Sequence, residues 1–406
     1  MHPSGLDVTL HADPRATIGA LLHLTGTPPT VDDLRSHVAE RLPAIPAWST
    51  TITRRGVRAH WTRLDADLRR QVRGHLLPEG QHPRDAVRHL QHTSFAPGSP
   101  RWDLTLLHGY APDRYAILYR VNHGLQDGGG LVRTAEALFS QTPIEPKRSA
   151  ATARVLAFTP KPLPHRLAAI IGREVRASAS PGPWARYGCP HSSERNSNWC
   201  VVPAGLLSGI ARPYAGTPHD AHLAALAITT SGWLTRHVPD YAASAGLRIQ
   251  TAVNVRHPRD IDQPGNHIGA ASIFLPSPTA ANSEFLRATV EATRFLKSPV
   301  HRAATHHFTR RIPSPAQRAA FRWVNNPKRT TALTSCLTIR HPLHFRDDPV
   351  TAIDPIGAPP AAPLLVVLAF YQGSASVQFI TDAGLPEMDQ LHVQWHKVVH
   401  QLAAGL

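Results

Sequence analysis

Two residues of this chain stand out by type and spacing as candidates for chemistry: His123, and Asp127 four positions later at the mouth of Gly128, Gly129 and Gly130. A neutral imidazole can take a proton near neutral pH, and a nearby carboxylate can orient the ring, so the pair would serve as a general base with its orienter. The same spacing also fits two metal ligands, although a third is wanted and Asn122 is a poor one. Aspartate before glycine is, in addition, an ordinary turn residue. A phosphate-cradling loop is disfavoured, because no Gly-Lys-Ser/Thr follows the glycines.

The neighbouring residues say how the pair is held. Tyr115 to Val121 is a β-rich apolar run, which predicts a strand and puts His123 at its end, facing into a turn. The three glycines read as punctuation or as a place of close backbone approach. Trp102 to Leu107 predicts a second strand, joined to the first by a hairpin through Ala111-Pro112-Asp113-Arg114. After the glycines, Leu131, Val132, Ala135, Leu138 and Phe139 share one helical face.

Further out, Thr30 to Leu42 predicts a helix with Thr30 as N-cap, and Asp85 to Gln91 a short one. Strand patterns cover Ser49 to Thr53 and Val57 to Trp61. Residues 146–198 are broken by prolines and predict a crossover, with one helix near 166–179, between an N-terminal half (1–145) and a C-terminal half (199–406). The second half alternates helices (Asp220 to Leu234, Ser283 to Leu296, Ser314 to Val324, Pro386 to Leu402) with strands. Those strands are Ile249 to Arg256, Ile268 to Leu275, Leu333 to Arg340, Leu364 to Tyr371 and Val377 to Thr381. The class is therefore α/β.

Composition narrows the function. The chain has 406 residues, 42% hydrophobic and 17% charged, which suits a globular body of one or two cores. No apolar run is long enough to cross a bilayer, no secretory leader is visible, and three cysteines make no disulfide framework, so a cytoplasmic location is expected. The net charge of +15 is scattered, with no stripe or module for nucleic acid. It suits anionic small molecules or acidic protein partners, or it reflects compositional bias. Cys189 and Cys200, with His191 between them, read as free thiols and not as a metal site, and Cys336 as a small buried hydrophobe. His306, His307, His341 and His344 read as solvated surface groups. A Ser-His-Asp hydrolase is disfavoured, since no Gly-x-Ser-x-Gly elbow occurs.

The run from Asn122 to Gly128 resembles the HHxxxDG signature of the condensation-type acyltransferase superfamily. That group includes chloramphenicol acetyltransferase, the condensation domains of nonribosomal peptide synthetases, and the wax ester synthase/diacylglycerol acyltransferases. The flanks are most similar to the last of these. Pro100-Arg101-Trp102-Asp103 is similar to its PLW segment, Pro218-His219-Asp220 to its Asn-Asp helix start, and Gly265-Asn266-His267 to its Gly-Asn strand. Thr334-Ser335-Cys336-Leu337 sits where that family has Ser-Asn-Val-Pro-Gly-Pro. The chain departs from the pattern at Asn122, which replaces the first histidine, and at that lost strand end.

The resemblance implies two chloramphenicol-acetyltransferase-like halves with mixed sheets around a central tunnel. It implies acyl transfer from a thioester, on coenzyme A or an acidic acyl or peptidyl carrier protein, to a small-molecule hydroxyl or amine. No bound cofactor or metal is implied. His123 would be the base, and Asp127 a structural residue paired to an arginine, with Arg256 the candidate by position. Gly128 and Gly129 would offer backbone amides near the reacting centre, Ser335 a hydroxyl to an oxyanion, and Trp102 a substrate contact, although an ordinary strand serine and a core tryptophan are the favoured readings of those two. A tailoring role in specialised metabolism is preferred to neutral-lipid synthesis at a membrane surface. A non-catalytic relative that binds carrier proteins is the other alternative.

Overall fold

The computed structural model describes residues 2–55, 58–141, 168, 172, 174, 182–186, 192–238, 241, 246–257, 260–278, 282–324 and 326–405. Most of the helix expected near 166–179, together with Cys189 and His191, lies outside the described residues.

Two six-stranded mixed sheets carry the fold. The first runs β11 (His344–Phe345), β12 (Asp348–Ile356), β1 (Thr17–Thr25), β6 (Arg114–Asn122), β5 (Trp102–Ala111) and β4 (Val72–Leu76). Its pairs are antiparallel except β4 with β5. The second runs β7 (Arg195–Pro203), β14 (Ser374–Asp382), β13 (Leu364–Tyr371), β10 (Ala332–Thr338), β8 (Leu247–Asn254) and β9 (Ile268–Leu275). In it β10 lies parallel to both β13 and β8. A separate ribbon pairs β2 (Thr50–Arg55) with β3 (Arg58–Arg63).

β6 is central, and every residue from Tyr115 to Asn122 is buried, which its unbroken apolar run requires. Its buried charge is Arg120, whose Nε donates to Asp103 on β5 at 2.8 Å, so the charge has its counterion. β1 lies between β6 and β12 and is buried along most of its length.

Sheet membership does not follow the expected boundaries at 145 and 199. β12 comes from the C-terminal stretch yet pairs with β1 from Gly19↔Ile356 to Leu24↔Val350. β7 begins at Arg195, inside the expected crossover. The core around β6 likewise includes Ile339, Leu343, Phe345, Val350, Ile353 and Tyr371. Without that returning segment β1 would present an open edge and an uncovered face.

The second core lies between the second sheet and helices Ala204–Ala211, Pro218–His237, Asn282–Thr293 and Leu391–Ala404. Helix Pro218–His237 is buried nearly all round through its middle, consistent with its run of alanine and leucine. The sequence patterns for Ile268–Leu275, Ser314–Val324 and Leu364–Tyr371 match the observed elements residue for residue.

Candidate active site

The glycines after Asp127 do not interrupt the chain. They form the first turn of helix Gly128–Phe139, and Asp127 is its N-cap, accepting from the Gly130 amide at 2.8 Å. A Cβ on Gly128 would fall 2.5 Å from Leu337 Cδ2 of β10, so the small residue lets the helix start against the second sheet.

Asp127 is 1% exposed, and its carboxylate is fully engaged. Oδ1 also accepts from Arg256 Nη2 at 2.9 Å, and Oδ2 accepts from the His267 amide at 2.7 Å. Burial raises the pKa of this carboxyl, but the charge of Arg256 and the two amides outweigh it and hold the group below the usual carboxylate range. Arg256 is also held from behind: Nη1 donates to the carbonyls of Asp260 and Gln263, and Nη2 to that of Gly265. Asp127 is thereby fixed as a charged, hydrogen-bonded post and is not free to act as a second base.

His123 opens the turn out of β6 and keeps part of its surface exposed. Its Nδ1 lies 3.1 Å from the carbonyl oxygen of Gln126. A carbonyl only accepts, so Nδ1 carries the proton and the neutral ring keeps its lone pair on Nε2, the arrangement a base requires. Gln126 is held in turn, with its side chain accepting from Tyr119 Oη and donating to Thr134 Oγ1 at 2.7 Å. Gln126, Asn266 and Asp7 are residues of the site to which the sequence reading gave no role. The signal for Gln126 was its place inside the motif, opposite Tyr119 and Thr134.

Asn122, standing where the signature has its first histidine, is fully buried. Its Nδ2 donates to the carbonyls of Leu10 and Asp13, and its Oδ1 accepts from the Gly124 amide at 2.9 Å. It closes the C-terminal end of helix Gly5–Ala12 onto the turn and faces no open site.

Other candidates fall elsewhere. Trp102 is 0% exposed, and its ring stacks on Trp48 at 3.7 Å between centroids. It packs in the core, and it supports Trp48, which donates to Tyr119 Oη at 3.2 Å. Ser335 pairs across from Val367 on β10 and shares its strand face with Leu337. It makes no hydrogen bond to the His123 turn among the described residues. Asp127 claims the amide of Gly130, which leaves those of Gly128 and Gly129 as the unclaimed donors of the helix's first turn among the described residues. His306, His307, His341 and His344 are half-buried and not fully solvated, and His306 Nδ1 meets the carbonyl of Val255 at 2.9 Å. Burial pushes the thiols of Cys200 and Cys336 up to about 12, which favours the protonated form of both near neutral pH.

A cavity of about 590 Å³, lined in part by Arg256, lies along the C-terminal part of β8 and beside β10. Its wall includes His219, Asp220, Asn254, Lys297, Arg302 and Cys336, but not His123. β8 and β10 pair only from Ala332↔Ile249 to Thr334↔Thr251, and the cavity occupies the gap where they part. Among the described residues no helix is long and apolar enough to cross a membrane.

Three solved structures share the fold. The wax ester synthase/diacylglycerol acyltransferase from Marinobacter aquaeolei VT8 superposes with a TM-score of 0.67 at 16% identity, over 100% of this chain and 99% of its own. The starter condensation domain of rhizomide synthetase, solved in complex with C8-CoA, gives 0.66 at 11%, over 99% and 94%. TRI3, the trichothecene 15-O-acetyltransferase of Fusarium sporotrichioides, gives 0.66 at 12%, over 100% and 94%. The chain has the condensation-type acyltransferase fold. Residues 11–180, which include the His123 turn, match the wax ester synthase/diacylglycerol acyltransferase catalytic domain. No curated protein matches the chain. The resemblance read from the motifs and the two-sheet α/β architecture it implied agree with these matches.

Proposed function

We propose that this protein transfers an acyl group from a thioester, on coenzyme A or a carrier protein, to the hydroxyl or amine of a small acceptor. The observation that carries the reading is the His123 turn itself. Nδ1 is committed to a carbonyl, Nε2 has no hydrogen-bond partner among the described residues, and the turn is held by the buried Asp127–Arg256 pair. Nε2 takes the acceptor's proton as its oxygen or nitrogen attacks the thioester carbonyl. The new bond forms as the C–S bond breaks, and the imidazolium returns the proton to the departing thiolate. The amides of Gly128 and Gly129, at the head of helix Gly128–Phe139, are the donors assigned in this reading to the oxyanion.

Coenzyme A or an acidic carrier protein suits the net charge of +15. The cavity lined in part by Arg256 offers threonine, histidine, lysine and arginine side chains beside its apolar wall. That lining favours a polar or short acyl or acceptor group and a tailoring role in specialised metabolism. The family match over residues 11–180 favours a second reading, a synthase of wax esters or diacylglycerol-derived lipid.

Mass spectrometry on a panel of acyl thioesters and acceptors, with wild type and His123→Ala, tests the proposal. Turnover is expected to fall by about 100- to 10,000-fold in the variant, the range for losing a general base. Unchanged turnover would sink the assignment. Faster turnover of long-chain acyl donors with long alcohols or diacylglycerol than of short polar pairs would move the function to lipid synthesis.

A further inference from the structure

Three stretches far apart in sequence meet at the His123 turn. Asp7, in the first turn of helix Gly5–Ala12, uses Oδ1 to accept from the Asn266 backbone amide at 2.7 Å and from Asn266 Nδ2 at 2.9 Å. The same Nδ2 donates to the His123 carbonyl at 2.7 Å. The other Asp7 oxygen accepts from the Ser4 amide at 2.7 Å, closing the helix's own capping box. The loop around Asn266 grips the turn at further points: the Gly265 amide donates to the Leu125 carbonyl at 2.6 Å, and the His267 amide to Asp127.

The packing is close at the points of contact. A Cβ on Gly124 would fall 2.5 Å from the His11 nitrogen and 2.7 Å from the Asp7 carbonyl oxygen. On Gly265, whose φ is +92°, it would fall 3.0 Å from Asp7 Oδ2. Only glycine lets the helix and the loop reach the turn at these two positions.

We propose that Asp7 and Asn266 are positioning residues for His123, and that helix Gly5–Ala12 is thereby a working part of the site. The proposal rests on the reading of His123 as the base. A carboxylate only accepts, so Asp7 selects the NH2 end of the Asn266 amide, and the two hydrogens of that group serve Asp7 and the His123 carbonyl. The Asn266 Oδ1 is buried without a partner among the described residues, so nothing on that side holds the amide. Its orientation depends on Asp7. Shifting the His123 carbonyl moves the ring against the acceptor, and a displacement of about 1 Å costs on the order of 100-fold in rate.

The test combines acyl-transfer kinetics, thermal unfolding and hydrogen exchange of the peptide spanning 123–127, all on the full chain. Asn266→Ala is expected to lower kcat by about 10- to 100-fold with KM within about twofold, and to speed exchange in that peptide. Asn266→Asp fills the same space but cannot donate to the carbonyl, and it should behave alike. Asp7→Asn keeps an acceptor oxygen and should retain more activity than Asp7→Ala. The double variant Asp7→Asn, Asn266→Asp restores a hydrogen bond between the two side chains but not the one to His123. Its melting temperature should recover while kcat stays low. Recovery of both together, or an Asn266→Ala protein with wild-type kcat, overturns the positioning role. If wild type turns over no thioester, the acyl-transfer reading falls. Loop exchange that is unchanged in Asn266→Ala then also overturns the grip, and faster exchange supports it.

Discussion

Two helices of this molecule each carry a buried aspartate at their head, close to a histidine and paired to a basic side chain from another element, yet the two arrangements differ. Asp127 caps helix Gly128–Phe139 and binds Arg256 at 2.9 Å. Asp220 closes the capping box of helix Pro218–His237 and binds Lys297 at 2.7 Å. Arg256 is only 8% exposed and clamped by three carbonyls, whereas Lys297 reaches in from the surface at 37%. The histidines diverge further. His123 lies outside its helix, four residues before its aspartate, with a ring held on a carbonyl. His219 lies inside the helix, next to its aspartate, and its Nδ1 is buried without a partner among the described residues. Burial pushes His219 down to about 4, so it is neutral at working pH and has no orienting bond. The same residue types thus yield one oriented histidine and one packed into a cavity wall. The difference comes from what the rest of the chain brings to each.

The comparison can be broken by substitution. The largest effect should come from exchanging the histidines' fates: His123→Ala should remove turnover with the fold retained, while His219→Gln should leave measurable turnover. Equal loss from both would dissolve the distinction. Next in size, Arg256→Ala strands a buried carboxylate and should cost about 3–5 kcal/mol, against about 1 kcal/mol for the more exposed Lys297→Ala, as read by denaturant unfolding. Similar costs would mean that the two pairs are equivalent.

Gly124→Ala, which drives a Cβ into the backbone of helix Gly5–Ala12, should lower the melting temperature clearly. Gly128→Ala meets only the tip of Leu337 and should do so less. The reverse order would contradict the close approach at the turn. The smallest effect is a pH dependence. With a folded-state pKa near 4 and an ordinary value of 6.5, His219 binds more protons when unfolded. Its contribution to stability is complete above pH 6.5 and is lost as pH falls toward 4. Asp127, depressed below the carboxylate range, adds a loss at still lower pH. His219→Gln should flatten the upper part of this profile in urea titrations, and Asp127→Asn the lower. A wild-type profile already flat between pH 6.5 and 4 would refute the first.

Strong local patterns were legible. The strand into His123, the hairpin before it and the helix after it all follow from apolar periodicity and turn residues, whereas Arg256 was named because the resemblance implied an arginine partner for Asp127. The helix Gly5–Ala12 was not read, although Ser4 and Asp7 carry a capping-box signature, because eight residues with little apolar periodicity give a weak helical signal. β1 and β12 were also missed. Each is a strand whose place depends on a distant partner, and β12 joins a sheet that its position in the chain does not suggest.

The sequence by itself determined the α/β class, the acyltransferase resemblance and the residue most suited to be a base. A pattern of side-chain types within a few positions is enough for these, since turn and strand preferences act locally. Only the tertiary structure decided that Asp127 is locked between Arg256 and two amides, that Trp102 is core, and that Asp7 and Asn266 grip the His123 turn. Of these contacts, Asp127 with Arg256 joins residues 129 positions apart and Asp7 with Asn266 residues 259 apart. They exist because burying polar groups requires partners, and the folded chain supplies them from wherever its sheets bring segments together.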